Sequence, residues 1–416
     1  TPEHFVDLCT RAFRSEGLPL QIRKTVGTVL KMAVKPLKSN FDMTIWKRIS
    51  DQKREEVRAA GVGCLVDPNS IIRKTAADLV ADVFCVDCCF EKSWPELLPT
   101  LTRNLDHESP VVQNSAIQTL GYICERLFKE GMAPLGPKQK DVIIAGLCKK
   151  LETYDQNTLS AMKSLEYSIQ FISDDLRDQA ACTYVLNLVM GVLKRANAQA
   201  HVDVVTQVVL CLGELHAVLR DRVGRYFQPI ADELFNSYGL GDLSLFIVLN
   251  DFFQTLLTPS PSNTLIGLFS DRSNLLNEKV LESLLALLPG ELNSSDADLP
   301  QIVESSAQVM STVNMSFLTD NFENLFAFAS GFIEKPGLPD RITALTVIES
   351  MICGPGDPRT SQMINSMFAG LHQYFSLNTP ELQLATVNVL KKVALHYPRD
   401  FMNQNNARPT MTLVIE

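Results

Sequence analysis

Apolar residues recur along this chain at intervals of three and four, as in Ile143, Ile144, Leu147 and Leu151, which is the spacing of one face of an amphipathic helix. No stretch of any length alternates apolar and polar residues as a half-buried strand would. Clusters of Gly, Pro, Asn and Asp punctuate the helical runs, for example Ala133-Pro-Leu-Gly-Pro137 and Gly354-Pro-Gly-Asp-Pro358. Ser93 is placed to cap a helix whose first turn tolerates Pro95. The pattern predicts an all-α protein.

Several helices share one layout: a turn with Pro or Asp, an apolar residue, Arg or Gln, a small or branched residue three places on, and an apolar residue four places after that. Pro19-Leu-Gln-Ile-Arg23-Lys-Thr-Val26-Gly-Thr-Val-Leu30 and Asp67-Pro-Asn-Ser-Ile-Ile-Arg73-Lys-Thr-Ala76-Ala-Asp-Leu-Val80 show it. Segments centred on Gln113, Arg341 and Gln383 repeat it. Neighbouring steps are 50, 40 and 42 residues, and the interval from 113 to 341 divides into five steps of about 46, the period of helix-pair repeats of the HEAT and armadillo kind. Helix pairs are expected near 3–36, 45–90, 94–129, 137–173, 176–221, 223–258, 277–316, 318–354 and 358–397, with a fresh helix near 408. The expectation is a single continuous array over 1–416, about nine repeats, clipped at both ends. Residues 259–276 read as a loop or short extra helix, and 290–300 as an acidic loop inside one repeat, carrying Glu291, Asp296 and Asp298.

Charge changes the picture of possible partners. Thirty-eight Lys+Arg against 47 Asp+Glu leave a net charge of -9, which disfavours direct nucleic-acid binding and favours partners with basic surfaces. Residues 1–130 hold 18 basic and 17 acidic side chains, so the deficit lies beyond residue 130. The longest strongly apolar stretch, Leu243 to Leu257, is broken by Asn250 and Asp251 and falls short of the roughly 20 residues that span a bilayer, so no membrane insertion is expected. The chain opens Thr-Pro-Glu-His without a signal-peptide pattern.

Ten cysteines sit mostly inside apolar helical patterns, as reduced thiols of the cytosol or nucleus would. Cys85-Val-Asp-Cys88-Cys89 contains one CxxC, but a zinc site needs a second ligand pair, and neither another CxxC nor a closely spaced histidine pair exists. Phosphate-binding loops, HExxH and GxSxG are absent, and the six histidines are scattered across different repeats. No catalytic residue, metal or cofactor is assigned. Stacked repeats instead offer long surfaces on which other chains dock.

Ile72-Arg-Lys-Thr-Ala-Ala-Asp-Leu-Val80, Ser93-Trp-Pro-Glu-Leu-Leu-Pro99 and Ser115-Ala-Ile-Gln-Thr-Leu-Gly-Tyr-Ile-Cys124 resemble the amino-terminal HEAT repeats of the importin-β (karyopherin-β) family. Phe332-Ile-Glu-Lys335 and Met351-Ile-Cys-Gly-Pro355 are similar to its later repeats, while 150–310 matches in layout only. The resemblance implies a right-handed superhelical solenoid of antiparallel helix pairs. It also implies a non-enzymatic nuclear transport receptor, shared between cytoplasm and nucleus and found at the pore and envelope. Such a receptor carries cargo directly or through an importin-α adaptor, binds Phe-Gly nucleoporins, and releases cargo to the Ran GTPase in its GTP form.

Residue by residue, the resemblance places a Phe-Gly pocket at Ile144, Tyr184 and Val185, with Ile143 and Leu147 beside it. It places Ran against the helices carrying Arg23, Arg73 and Gln113, and against Glu291, Asp296 and Asp298 in the acidic loop. A HEAT scaffold of the phosphatase or coat-adaptor type would share the period and the lack of catalytic motifs. A thiol enzyme built around Cys85, Cys88 and Cys89 is the remaining reading.

Overall fold

A computed structural model of the chain describes residues 1–35, 45–89, 94–129, 135, 137–219, 224–257, 337–352 and 379–402, with isolated helical positions between 276 and 371. The chain forms two compact units, Thr1–Arg220 and Asp221–Glu416. Every regular element among the described residues is helical.

The amino-terminal unit contains α1 (Pro2–Arg14), α2 (Leu20–Val34), a short α3 (Ile45–Arg48), α4 (Asp51–Cys64), α5 (Ser70–Cys89), α6 (Leu97–Asn104), α7 (Pro110–Lys129), α8 (Pro137–Thr153), α9 (Thr158–Ile169), α10 (Gln179–Gln199) and α11 (Val202–Leu219). Local chemistry fixes the starts. Thr1 Oγ1 accepts from the His4 amide, Asn69 Oδ1 from the Ile71 amide, and Asp178 Oδ1 from the amides of Ala180 and Ala181, each satisfying first-turn donors that a helix leaves open.

Packing then sorts the helices into two layers. One runs α2, α5, α7, α9, α11, each against the next; α1 packs on α4 in the other, and α6 on α8 and α8 on α10 continue it. Each repeat thus buries its apolar face on a neighbour, as a HEAT solenoid requires. Helices α7 and α9 approach closely at Gly121 of α7, where a Cβ would stand 2.8 Å from the Cα of Ser164 in α9. Ser164 Oγ uses that proximity to donate to the Ile117 carbonyl at 2.9 Å. Helix α11 is 18 residues long and apolar enough to cross a membrane by length and composition, yet Val204, Val205, Val208, Val209, Cys211 and Leu212 are buried in the repeat core. Its apolarity reflects contact with α9 and α10.

In the second unit, α12 (Gly224–Tyr238) packs on α13 (Leu243–Leu257), and α14 (Leu338–Met351) packs on α15 (Pro380–His396), which is followed by α16 (Pro398–Phe401). Tyr238, Phe246 and Phe253 form an aromatic cluster with ring centroids 5.5 and 6.1 Å from Tyr238. Asn250 is wholly buried beside it; its Oδ1 accepts from Tyr238 Oη at 2.9 Å and its Nδ2 donates to Ser305 and Ser306. The residue that interrupts the apolar stretch in sequence is therefore paired in the core, which offsets the cost of burying its amide. Residues 259–275 of the loop or short extra helix expected at 259–276, the loop expected at 290–300 and the helix expected near 408 lie outside the described residues.

Candidate functional site

Helices α8 and α10 adjoin in the amino-terminal unit, and the five residues assigned to a Phe-Gly pocket are divided between two environments. Ile143 and Leu147 are 0% exposed and Val185 4%, so these three are core side chains and cannot themselves line an open pocket. Helical geometry is the reason: 143 and 147 are one turn apart on the inward side of α8. Ile144 is half-buried at the flank, and Tyr184 is 48% exposed. Val142, at 46% exposure, is an apolar surface residue on α8 that the sequence comparison missed, although it directly precedes the assigned pair.

Tyr184 is anchored rather than free. Its Oη donates to Glu152 Oε1 at 2.8 Å, and burial followed by this hydrogen bond to the carboxylate pushes the phenol up to about 12. Arg195 of α10 donates to the carbonyls of Leu151 and Glu152 at 3.0 and 2.9 Å, satisfying acceptors at the end of α8, and lies over the Tyr154 ring at 5.0 Å. The α8–α10 seam therefore presents an apolar strip on a backbone fixed by hydrogen bonds.

The residues assigned to Ran are occupied in another way. Arg23 is 5% exposed; its Nε donates to the Phe13 carbonyl at 3.0 Å and its guanidinium pairs with buried Asp67. It ties one repeat to the turn of the next and presents nothing to a partner. Arg73 donates to the carbonyls of Asp67 and Pro68 at 2.7 and 2.8 Å, closing its own turn. Gln113 Nε2 donates to the His107 carbonyl, while its Oε1 accepts from Asn157 Nδ2 at 3.1 Å, bridging to the following repeat. At this recurring position Arg23 and Gln113 are thus rungs between successive turns, whereas Arg73 braces its own turn. Glu291, Asp296 and Asp298 lie outside the described residues.

Across the α2-to-α11 layer, other polar groups come together. Arg126 of α7 donates to Asp82 at 2.8 Å and pairs with Asp78 and Glu125, and Lys31 of α2 also reaches Asp78. Tyr122 and Tyr167 stack at 6.0 Å between α7 and α9. Burial pushes the Glu166 carboxyl up, and Gln207 of α11 donates to it. The period foretells that these positions recur, but not that they meet.

No group of three or more metal-ligating side chains exists among the described residues. Burial pushes the thiols of Cys64 and Cys148 up to about 11 and that of Cys124 up to about 12. A thiol must ionise to react. At pH 8, iodoacetamide is therefore expected to leave Cys64, Cys124 and Cys148 unmodified in the folded chain and to label them after urea, as read by peptide mass spectrometry.

No family model matches the chain. Individual proteins do. It is 22% identical over 369 residues to importin subunit beta-1 of Arabidopsis thaliana, covering 84% of this chain and 41% of that protein. It is 21% identical over 385 residues to importin subunit beta-1 of Schizosaccharomyces pombe, covering 87% and 43%. The chain is a distant homologue of the importin-β family. This importin-β homologue spans less than half the length of the curated relatives it matches. Among solved structures, importin beta crystallised in ammonium sulfate superposes with a TM-score of 0.72 at 16% identity, over 99% of this chain and 49% of the other. Yeast Kap95p, an importin-beta, superposes with TM-scores of 0.67 in a study of its binding to RanGDP and 0.66 in complex with Nup1, each at 15% identity over 99% of this chain and 49% of the other. At these identities the likeness establishes the HEAT solenoid of this importin-β homologue.

Proposed function

We propose that this chain acts as a nuclear transport receptor of importin-β type. It carries protein cargo, directly or through an importin-α adaptor, between cytoplasm and nucleus; it contacts Phe-Gly nucleoporins at the pore, and Ran-GTP controls cargo release. The observation that carries this reading is sequence similarity to two importin beta-1 subunits over more than four-fifths of the chain. The related Kap95p, solved with Nup1 and studied binding RanGDP, supports the choice of partners.

For nucleoporins, the proposed contact is the surface of the α8–α10 seam, with Ile144 and Tyr184 reaching solvent over the core formed by Ile143, Leu147 and Val185. A Phe side chain laid there removes apolar area from water at about 25 cal/mol per Å², a weak contact that repetition along a Phe-Gly chain strengthens. For Ran, the proposed surface is the layer that carries Arg23, Arg73 and Gln113, with those three holding the turns, and the loop of Glu291, Asp296 and Asp298.

Tyr184→Ala, and separately Ile144→Asp, are expected to weaken binding of a multivalent Phe-Gly peptide by about tenfold, a change of about 1.4 kcal/mol. Biosensor titration reads this directly. Tyr184 is exposed, so its removal spares the core; unchanged binding by both variants would remove the seam from the nucleoporin surface.

A further inference from the structure

Side chains of α8 and α10 satisfy the carbonyls that end α8. Thr153 Oγ1 donates to the Lys150 carbonyl at 2.8 Å, and Arg195 takes the next two, those of Leu151 and Glu152. Arg195 is itself fixed, since its Nε donates to the Gly191 carbonyl at 3.1 Å within α10 and its guanidinium lies over the Tyr154 ring. Tyr154 stands in the left-handed region at φ 51°, a conformation that costs backbone energy for a non-glycine residue. Its ring stacks at 6.0 Å on His201, just ahead of α11, and its Oη lies 3.0 Å from His201 Nδ1. The turn so pinned sets the backbone of Glu152, two residues earlier.

With its backbone fixed, Glu152 gives its carboxylate to one partner. Arg195 binds the Glu152 carbonyl and not its side chain, and Glu152 makes no ion pair among the described residues. Its Oε1 accepts from Tyr184 Oη, and Tyr184 has no other hydrogen bond from its hydroxyl among the described residues. Because Tyr184 grows from α10 and Glu152 from α8, this bond draws the phenol ring across the seam. Tyr184 is half-exposed, so without the anchor its ring would turn among staggered rotamers and leave the strip it forms with Val142 and Ile144. Holding such a side chain in advance removes part of the ordering cost of a weak contact.

We propose that Glu152 is a positioning residue for Phe-Gly recognition, its carboxylate holding the Tyr184 ring over the α8–α10 seam in the orientation against which a Phe side chain packs. This rests on the nucleoporin reading of the seam. Glu152 does not touch the peptide; it acts through Tyr184, and Arg195 and Tyr154 act through Glu152.

Biosensor titration of a multivalent Phe-Gly peptide onto Tyr184→Phe, Glu152→Ala, their double variant and Glu152→Gln, each in the full chain, tests this. Tyr184→Phe keeps the ring and removes the hydroxyl, whereas Glu152→Ala removes the acceptor. Both positions are exposed, and circular dichroism checks that every variant folds. Each single variant is expected to weaken binding about threefold, less than Tyr184→Ala does. The double variant is also expected to be about threefold weaker, because all three lose the same bond. Glu152→Gln keeps an oxygen acceptor and is expected to bind within about twofold of wild type. Losses that multiply to about ninefold in the double variant overturn the positioning role. So does a Glu152→Gln chain as weak as Glu152→Ala, or wild-type affinity in Tyr184→Phe and Glu152→Ala; if Tyr184→Ala still binds weakly, the seam remains the nucleoporin contact. A wild-type chain that does not bind the peptide overturns that contact together with the positioning role.

Discussion

Replacing Arg23 with alanine is expected to destabilise the amino-terminal unit by about 3–5 kcal/mol, the range seen when one partner of a buried ion pair is removed. Side-chain exposures of 7% for Arg23 and 4% for Asp67 place both charges out of water. Arg23 is also the donor to the Phe13 carbonyl. Its loss leaves a buried carboxylate and a buried carbonyl with fewer donors, and Asp67 keeps mainly the Asn69 amide at 2.9 Å. Because α1, α2 and the turn before α5 are all held at this point, the effect should reach both layers of the first two repeats. Urea unfolding followed by the fluorescence of Trp46 and Trp94, both of which lie in the first unit, reads that unit alone. The double variant Arg23→Met with Asp67→Leu is expected to recover most of the loss, since replacing both charges removes the desolvation penalty. A loss below about 1 kcal/mol for Arg23→Ala would mean that the pair is solvated in solution.

Trp46→Ala is expected to cost about 3–5 kcal/mol, the usual range for removing a buried aromatic side chain from a packed core. Trp46 is 1% exposed, and its indole N–H donates to Asp87 Oδ1 at 2.9 Å. Asp87 is itself 1% exposed and accepts from Arg58 Nε and Nη2 at 2.9 and 2.7 Å. Burial pushes the Asp87 carboxyl up, with the indole and the guanidinium pulling the other way. The alanine variant therefore combines a cavity with the loss of a donor to a buried acid. Trp46→Phe separates the two, keeping most of the volume, and is expected to cost about 1–3 kcal/mol for the lost hydrogen bond. Equal losses for the two variants would show that the cavity contributes nothing.

Much of this fold is legible in the sequence because a helix repeat writes its period twice, in the apolar spacing and in the recurring turn. The layout around Arg73 correctly implies a long helix that packs on both neighbours, and α5 does so from Ser70 to Cys89. The direction in which a recurring polar residue points is harder to read. Arg23 and Gln113 look like surface positions on a shared face, yet each reaches a partner 44 residues onward, Asp67 and Asn157. That common separation, close to one repeat, was the available signal for rungs between turns. In the α8–α10 seam, a run of adjacent apolar residues does not say which one faces out. The helix turns by about 100° per residue, so Val142 and Ile143 fall on opposite sides of the burial boundary.

Selective recognition of one nucleotide state of Ran tests the transport reading most directly. Ran bound to a non-hydrolysable GTP analogue and Ran bound to GDP, each titrated onto the full chain by calorimetry, give the comparison. The GTP form is expected to bind at least about tenfold tighter than the GDP form, a difference of at least about 1.4 kcal/mol. Equal affinity for the two forms, or binding of neither, would contradict it and leave a HEAT scaffold in its place.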